Sequence, residues 1–149
     1  MPRPKQLTVV SRITALATPN VLATTAALAP AMAERGKGEI INITTMVAYV
    51  GMPAAAASGA ATAAVDLLTT AWAAAYGPWD VTVTASSPGP GRTEGTAAMA
   101  ARNQLARLAP AGRPARPEEI AAAAISLSSA ESDVVHGATL AVDGGRVAA

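Results

Sequence analysis

Between residues 21 and 35 apolar side chains recur at helical spacing, and Glu34-Arg35 gives way to Gly36, a residue type that ends helices by entering the left-handed region. A short β-branched run follows, Ile40-Ile41-Asn42-Ile43, with the character of a buried strand. Gly51-Met52-Pro53 then breaks the chain, and an alanine-rich stretch over 54–76 predicts a long helix stopped by Gly77-Pro78. Val81-Thr82-Val83-Thr84-Ala85 is a second strand, closed by Ser87-Pro88-Gly89. Residues 94–108 carry a helical pattern, with Met99, Leu105 and Leu108 as its apolar positions. Pro117-Glu118-Glu119 opens another helix, running to about Ser129: proline is preset for the first turn, and the carboxylates suit the positive end of the dipole. Thr139-Leu140-Ala141-Val142 is a third strand, ended by Asp143-Gly144-Gly145.

The order α-β-α-β-α-α-β implies an α/β fold with parallel strands and crossover helices. Residues 1–18 contain early prolines and no strong period, so they are expected to be an irregular leader; 19–149 form one unit. The basic, alanine-rich start has the outline of an export signal, but Pro19 and Asn20 interrupt it and its second part leads straight into a strand. No run of about 20 uninterrupted apolar residues exists, so no membrane span is expected.

Composition narrows the chemistry. Hydrophobic residues make up 51% and charged residues 14%, which excludes disorder. Without Phe, the core must be assembled from Ala, Val, Leu, Ile and Met, each burying little area. A net charge of +1 with scattered Lys and Arg argues against nucleic acid as a partner. The chain has no Cys and one His, His136, which excludes thiolate and multi-histidine metal sites. Cysteine-free composition fits a cytoplasmic protein. Glu118 and Glu119 are helix-start carboxylates rather than a catalytic pair, and His136 beside Gly137 is a turn residue.

Five motifs then fall in one order: Gly38-Glu39-Ile40-Ile41-Asn42-Ile43-Thr44-Thr45, Gly51-Met52-Pro53, Ser87-Pro88-Gly89 with Arg92-Thr93, Arg116-Pro117-Glu118-Glu119-Ile120, and Val142-Asp143-Gly144-Gly145. Together they resemble the C-terminal portion of the short-chain dehydrogenase/reductase family, in a truncated and degenerate form. The resemblance implies a partial Rossmann-like parallel sheet, its last three strands, with flanking helices. It also implies NAD(P) as cofactor and alcohol/carbonyl oxidoreduction as activity. In the family a tyrosine delivers the proton, a lysine four residues on lowers its pKa, a serine orients the carbonyl, and an asparagine supports a water relay.

Carried over by position, the serine place is Thr45 and the tyrosine place, 13 residues later, is Ser58. The lysine place is Thr62, and the asparagine place is Asn20, although its interval to Thr45 is shorter than the family's. Pro88, Gly89 and Thr93 match residues that line the nicotinamide pocket, while Thr84 replaces an asparagine. No glycine-rich phosphate turn precedes Asn20.

An aliphatic alcohol is far less acidic than a phenol of pKa about 10, so Ser58 is a poor proton donor and Thr62 brings no charge to help it. Lys37 stands at the opposite end of the first strand, roughly 25 Å from Thr45 at about 3.3 Å per residue. Tyr76 is about 27 Å along the helix from Ser58. Tyr49 is the one phenol near enough to stand in, though a loop position explains it more simply. The sequence therefore predicts lost or severely impaired activity. The alternative is a non-catalytic module that self-associates, or pairs with a full-length relative, through the two long helices and last strand; family members usually assemble there.

Overall fold

The computed structural model describes residues 4–52, 55–93 and 100–149, with side chains over 18–52, 55–93 and 103–149. Helix α1 spans Pro4–Glu34, strand β1 Gly38–Ile43, helix α2 Ala56–Tyr76 and strand β2 Val81–Pro88. Helices α3 (Ala100–Arg107) and α4 (Pro117–Leu127) precede strand β3, Thr139–Val142. The three strands form one parallel sheet in the order β1-β2-β3, with Ile40 beside Val83 and Ser87 beside Ala141. The expected α/β architecture and element order are therefore observed.

The core lies where β2 meets the two long helices. Val81 and Val83 are fully buried with Ala73, and Met32, Ala33, Ile40, Trp72 and Tyr76 pack around them. Those residues come from both α1 and α2, so both helices cover the same sheet face. On that face Asn42 donates from Nδ2 to Thr69 Oγ1 at 2.8 Å, and Thr69 passes its own proton to the Val65 carbonyl at 2.9 Å. This buried hydrogen bond ties β1 to α2. Helix α4 packs on β2 and β3.

Two expectations are corrected. The stretch read as an irregular leader, 1–18, is helical from Pro4 onward and continuous with the helix expected from 21. Pro4 occupies the first position of α1, where its missing N–H has no intrahelical partner to lose, and Pro19 lies inside the helix without ending it. The second strand also runs past Ala85 to Pro88. Pairing of Ala85–Pro88 with Thr139–Val142 holds those residues extended, a tertiary effect that turn-like Ser-Ser-Pro chemistry does not reveal. The first six residues of the helix expected over 94–108 lie outside the described residues, as does the Pro53 break.

Gly59 in α2 shows packing opposing local preference. A Cβ there would lie 2.5 Å from the Val47 carbonyl oxygen. Alanine gains about 1 kcal/mol over glycine in a helix, but overpacking against fixed backbone costs ~1–3 kcal/mol. Gly59→Ala is therefore expected to lower the denaturant midpoint, against the propensity scale; a raised midpoint would show the turn at Val47 yields freely.

Candidate active site

At the carboxyl end of β1 the chain is anchored before it turns. Thr44 donates its backbone N–H to the Ser86 carbonyl at 2.8 Å and its hydroxyl to the same oxygen at 3.4 Å. Thr45 follows in extended conformation, half-buried, and precedes a single 3₁₀ turn, Met46–Ala48. Met46 is buried and pins that turn, and the Val47 carbonyl rests against Gly59. Thr45 is thus delivered beside the first turns of α2, where Ser58 and Thr62 share one helix face.

Those two side chains are half-buried. Thr62 Oγ1 donates to the Ser58 carbonyl at 2.8 Å, the back-bond by which a hydroxyl inside a helix satisfies itself. Among the described residues the side chains of Asn20, Thr45 and Ser58 make no hydrogen bond. Asn20 is exposed on α1 and lines a groove with Ile40, Ile41 and Asn42 of β1. Ser58 and Thr62 thus share one face of α2, the Val47 carbonyl two residues after Thr45 rests against Gly59 between them, and Asn20 stands on α1. Helix α1 does touch α2 nearby, with Thr18 Oγ1 donating to the Ala61 carbonyl at 3.3 Å.

Pro88 ends β2 beside Val142, and Gly89 donates its N–H to the Val142 carbonyl at 3.1 Å. The space a Cβ on Gly89 would take is already filled by Asp143, with Cα at 2.7 Å and Cβ at 2.8 Å. Glycine here permits close contact with the end of β3. Thr93 is exposed beyond the turn. On β2 the buried hydroxyls of Ser86 and Ser87 have no hydrogen-bond partner among the described residues.

Tyr49, the candidate stand-in phenol, lines a pocket with Ala55, Ala56 and Gly59 at the start of α2. Burial pushes its pKa above the ordinary value; the Thr139 hydroxyl opposes that rise and the Asp66 carboxylate adds to it. No well-formed hydrogen bond joins Tyr49 to either: Asp66 Oδ1 accepts from Thr139 Oγ1 at 3.3 Å, and Asp66 Oδ2 is buried without a partner. A catalytic phenol needs the opposite shift. Lys37 lies immediately before β1, and Tyr76 ends α2 within the core cluster.

Two polar anchors escaped the sequence reading as such. Asp143 is buried and accepts from the backbone N–H groups of Gly145 and Val147, both at 2.8 Å, fixing the chain after β3. Glu119 takes a bidentate pair from Arg113, at 2.7 and 2.8 Å, and also accepts the Arg116 backbone N–H at 2.8 Å, which caps α4. These contacts, led by the Arg113 hydrogen bond, lower the Glu119 pKa from 4.5 to about 2. A carboxylate depressed on folding contributes stability that is complete above its unfolded pKa and fades as pH falls through the folded one. Glu119→Gln is therefore expected to lower the melting temperature at pH 7. That deficit should shrink between pH 4.5 and about 2; a pH-independent deficit would assign the loss to packing. His136 is exposed, with Nε2 3.2 Å from the Asp133 carbonyl, in the turn before β3 as expected.

Comparison with known proteins now places this geometry. A family model described as enoyl-(acyl carrier protein) reductase matches residues 7–146. The cyclopentanol dehydrogenase of Comamonas sp. is 39% identical over 131 residues, covering 85% of this chain and 52% of that protein. A solved short chain dehydrogenase/reductase family protein superposes with a TM-score of 0.81 at 43% identity, over 87% of this chain and 54% of that one. The gluconate 5-dehydrogenase from Burkholderia cenocepacia, solved with NADP and tartrate, gives 0.83 at 33% identity, over 99% and 58%. The chain spans about half the length of the relatives it matches. The family match begins at residue 7, inside the stretch first taken for a leader, in keeping with the continuous α1. The ordered motifs, the parallel β1-β2-β3 sheet and these relatives agree: the chain belongs to the short-chain dehydrogenase/reductase family.

Proposed function

We propose that this chain is a short-chain dehydrogenase/reductase segment whose own residues do not support the family's NAD(P)-dependent alcohol/carbonyl oxidoreduction. Reduction of a carbonyl needs a proton at the oxygen as hydride, which the dinucleotide supplies when bound, reaches the carbon. Here the two positions matching the proton-delivering pair are Ser58 and Thr62. The observation that carries the reading is the Thr62 hydroxyl, committed to the Ser58 carbonyl at 2.8 Å. It leaves Ser58 a plain alcohol with no cation beside it on that helix face. Removal of a general acid costs ~10²–10⁴ in rate, and loss of the ammonium overlaps with that figure rather than multiplying it.

The cofactor residues support the same reading. The Cβ side of Gly89 is filled by Asp143, so the turn packs on the end of β3. NADP binding is a property of the Burkholderia relative's solved complex; for this chain alone we infer weak or no dinucleotide affinity. Fluorescence titration of NADH and NADPH, followed by assay against a panel of ketones, tests both parts. No binding below millimolar concentration and no turnover are expected; micromolar binding with turnover would overturn the proposal.

A second reading, self-association through the long helices, is favoured by one feature. The outer face of α2 is apolar, with Leu67 72% exposed among exposed Ala60, Ala63, Ala71 and Ala74. Light scattering that showed a folded monomer at high concentration would remove it.

A further inference from the structure

The amino ends of the strands, opposite the end that carries Thr45, hold a concavity built by two connections, α1 to β1 and α2 to β2. The end of α1 is closed by the Gly36 N–H on the Ala33 carbonyl at 3.0 Å and the Lys37 N–H on the Met32 carbonyl at 3.3 Å. Gly36 enters the left-handed region there, at φ 63°. The other connection is a single 3₁₀ turn, Gly77–Trp79, followed by Asp80 at φ 58°. Asp80 is the only non-glycine with a positive φ among the described residues, and its carbonyl accepts the Gly38 N–H at 3.1 Å. The two connections are therefore tied to each other across the end of the sheet. Between them lies a space of about 620 Å³ lined by Pro30, Ala33, Glu34, Arg35, Gly36 and Trp79.

Three of those side chains are uncommitted. Trp79 is 60% exposed, although the chain has only two Trp, two Tyr and no Phe with which to build a core. Trp72, by contrast, packs against the core cluster. Glu34 stands in the last turn of α1, where the helix dipole is already negative and a carboxylate is disfavoured. Arg35 follows it. Both are exposed, and among the described residues neither forms an ion pair or stacks on the indole. Neighbouring positions at a helix end do not face each other, so the two charges do not neutralise one another directly. We propose that this concavity binds a small aromatic zwitterion, its ammonium held by Glu34, its carboxylate by Arg35 and its ring stacked on Trp79. A cation alone would meet the Arg35 charge, and an anion alone would meet Glu34 and the negative end of α1; a molecule carrying both signs satisfies each. The ring covers the indole and extends over Pro30 and Ala33, removing apolar area from water. The site goes beyond the family's chemistry and is independent of whether Ser58 and Thr62 support catalysis.

The test titrates the full 149-residue chain with L-phenylalanine at low ionic strength, following the indole Nε1–H signals of both tryptophans by NMR. Trp79→Phe, at an exposed position, assigns the two signals. The Trp79 signal should move saturably with a midpoint of about 1–10 mM, because exposed charge pairs each contribute little, and the Trp72 signal should stay. Phenethylamine, which lacks the carboxylate, and 3-phenylpropionate, which lacks the ammonium, should each bind at least about threefold more weakly. Glu34→Lys should weaken phenylalanine binding at least about threefold. The same change should raise the melting temperature, since it replaces an unfavourable charge at the end of α1 with a favourable one. Those opposite movements separate a ligand-binding role from a structural one. Four results would overturn the proposal: a Trp79 signal that does not move, equal binding by either singly charged analogue, unchanged binding in Glu34→Lys, or lost binding there together with a lower melting temperature.

Discussion

A chimera in which this chain replaces the matching 131-residue part of the Comamonas enzyme is expected to gain at least about 100-fold in cyclopentanol oxidation on introducing Ser58→Tyr and Thr62→Lys together. The two positions are one helical turn apart, so the new ammonium would lie beside the new phenol and favour its ionised form. Removing the Thr62 hydroxyl also frees the Ser58 carbonyl from its back-bond. The single changes should recover far less than the pair, because a phenol without the ammonium keeps its high pKa and an ammonium without the phenol has nothing to activate. Steady-state rates of the four chimeras check this; equal activity in all four would show that positions 58 and 62 do not limit the reaction.

Gly89→Ala is expected to be the most damaging single methyl addition at the site, costing about 2–3 kcal/mol as overpacking against fixed backbone. The added carbon would meet Asp143 Cα, Cβ and carbonyl oxygen at 2.7, 2.8 and 3.1 Å. Asp143 cannot retreat cheaply, since its carboxylate holds the Gly145 and Val147 amides. Urea unfolding should show a fall in midpoint at unchanged slope. An unchanged midpoint would mean the strand end is loose enough to absorb the added methyl.

Much of this was legible in the sequence. The strands at Ile40–Ile43 and Thr139–Val142 announce themselves by β-branched runs between glycines, and the Pro-Glu-Glu start of α4 carries its own cap. Pairing partners were not legible. Ser86 and Ser87 look like turn residues, yet β3 holds them extended and buried, with hydroxyls left unpartnered. The first helix was hidden for a different reason: Pro4 and Pro19 signal breaks, but a proline at the first helical position costs nothing. At the site, spacing put Ser58 and Thr62 one turn apart on α2, and the back-bond between them follows from that helix. Asn20 was placed by motif order, and spacing could not reveal the groove it lines with Ile40, Ile41 and Asn42. Nor could spacing reveal that Asp66 on α2 meets Thr139 across 73 residues of chain, beside Tyr49.

The unmutated chimera, assayed beside the same chimera carrying Tyr49→Phe, puts the missing proton donor to its sharpest trial. Loss of the relay requires a rate at least about 100-fold below that of the parent Comamonas enzyme, and the same residual rate with or without the Tyr49 hydroxyl. A rate within tenfold of the parent that vanishes with Tyr49→Phe would contradict it, and would make Tyr49 the acid this fold uses.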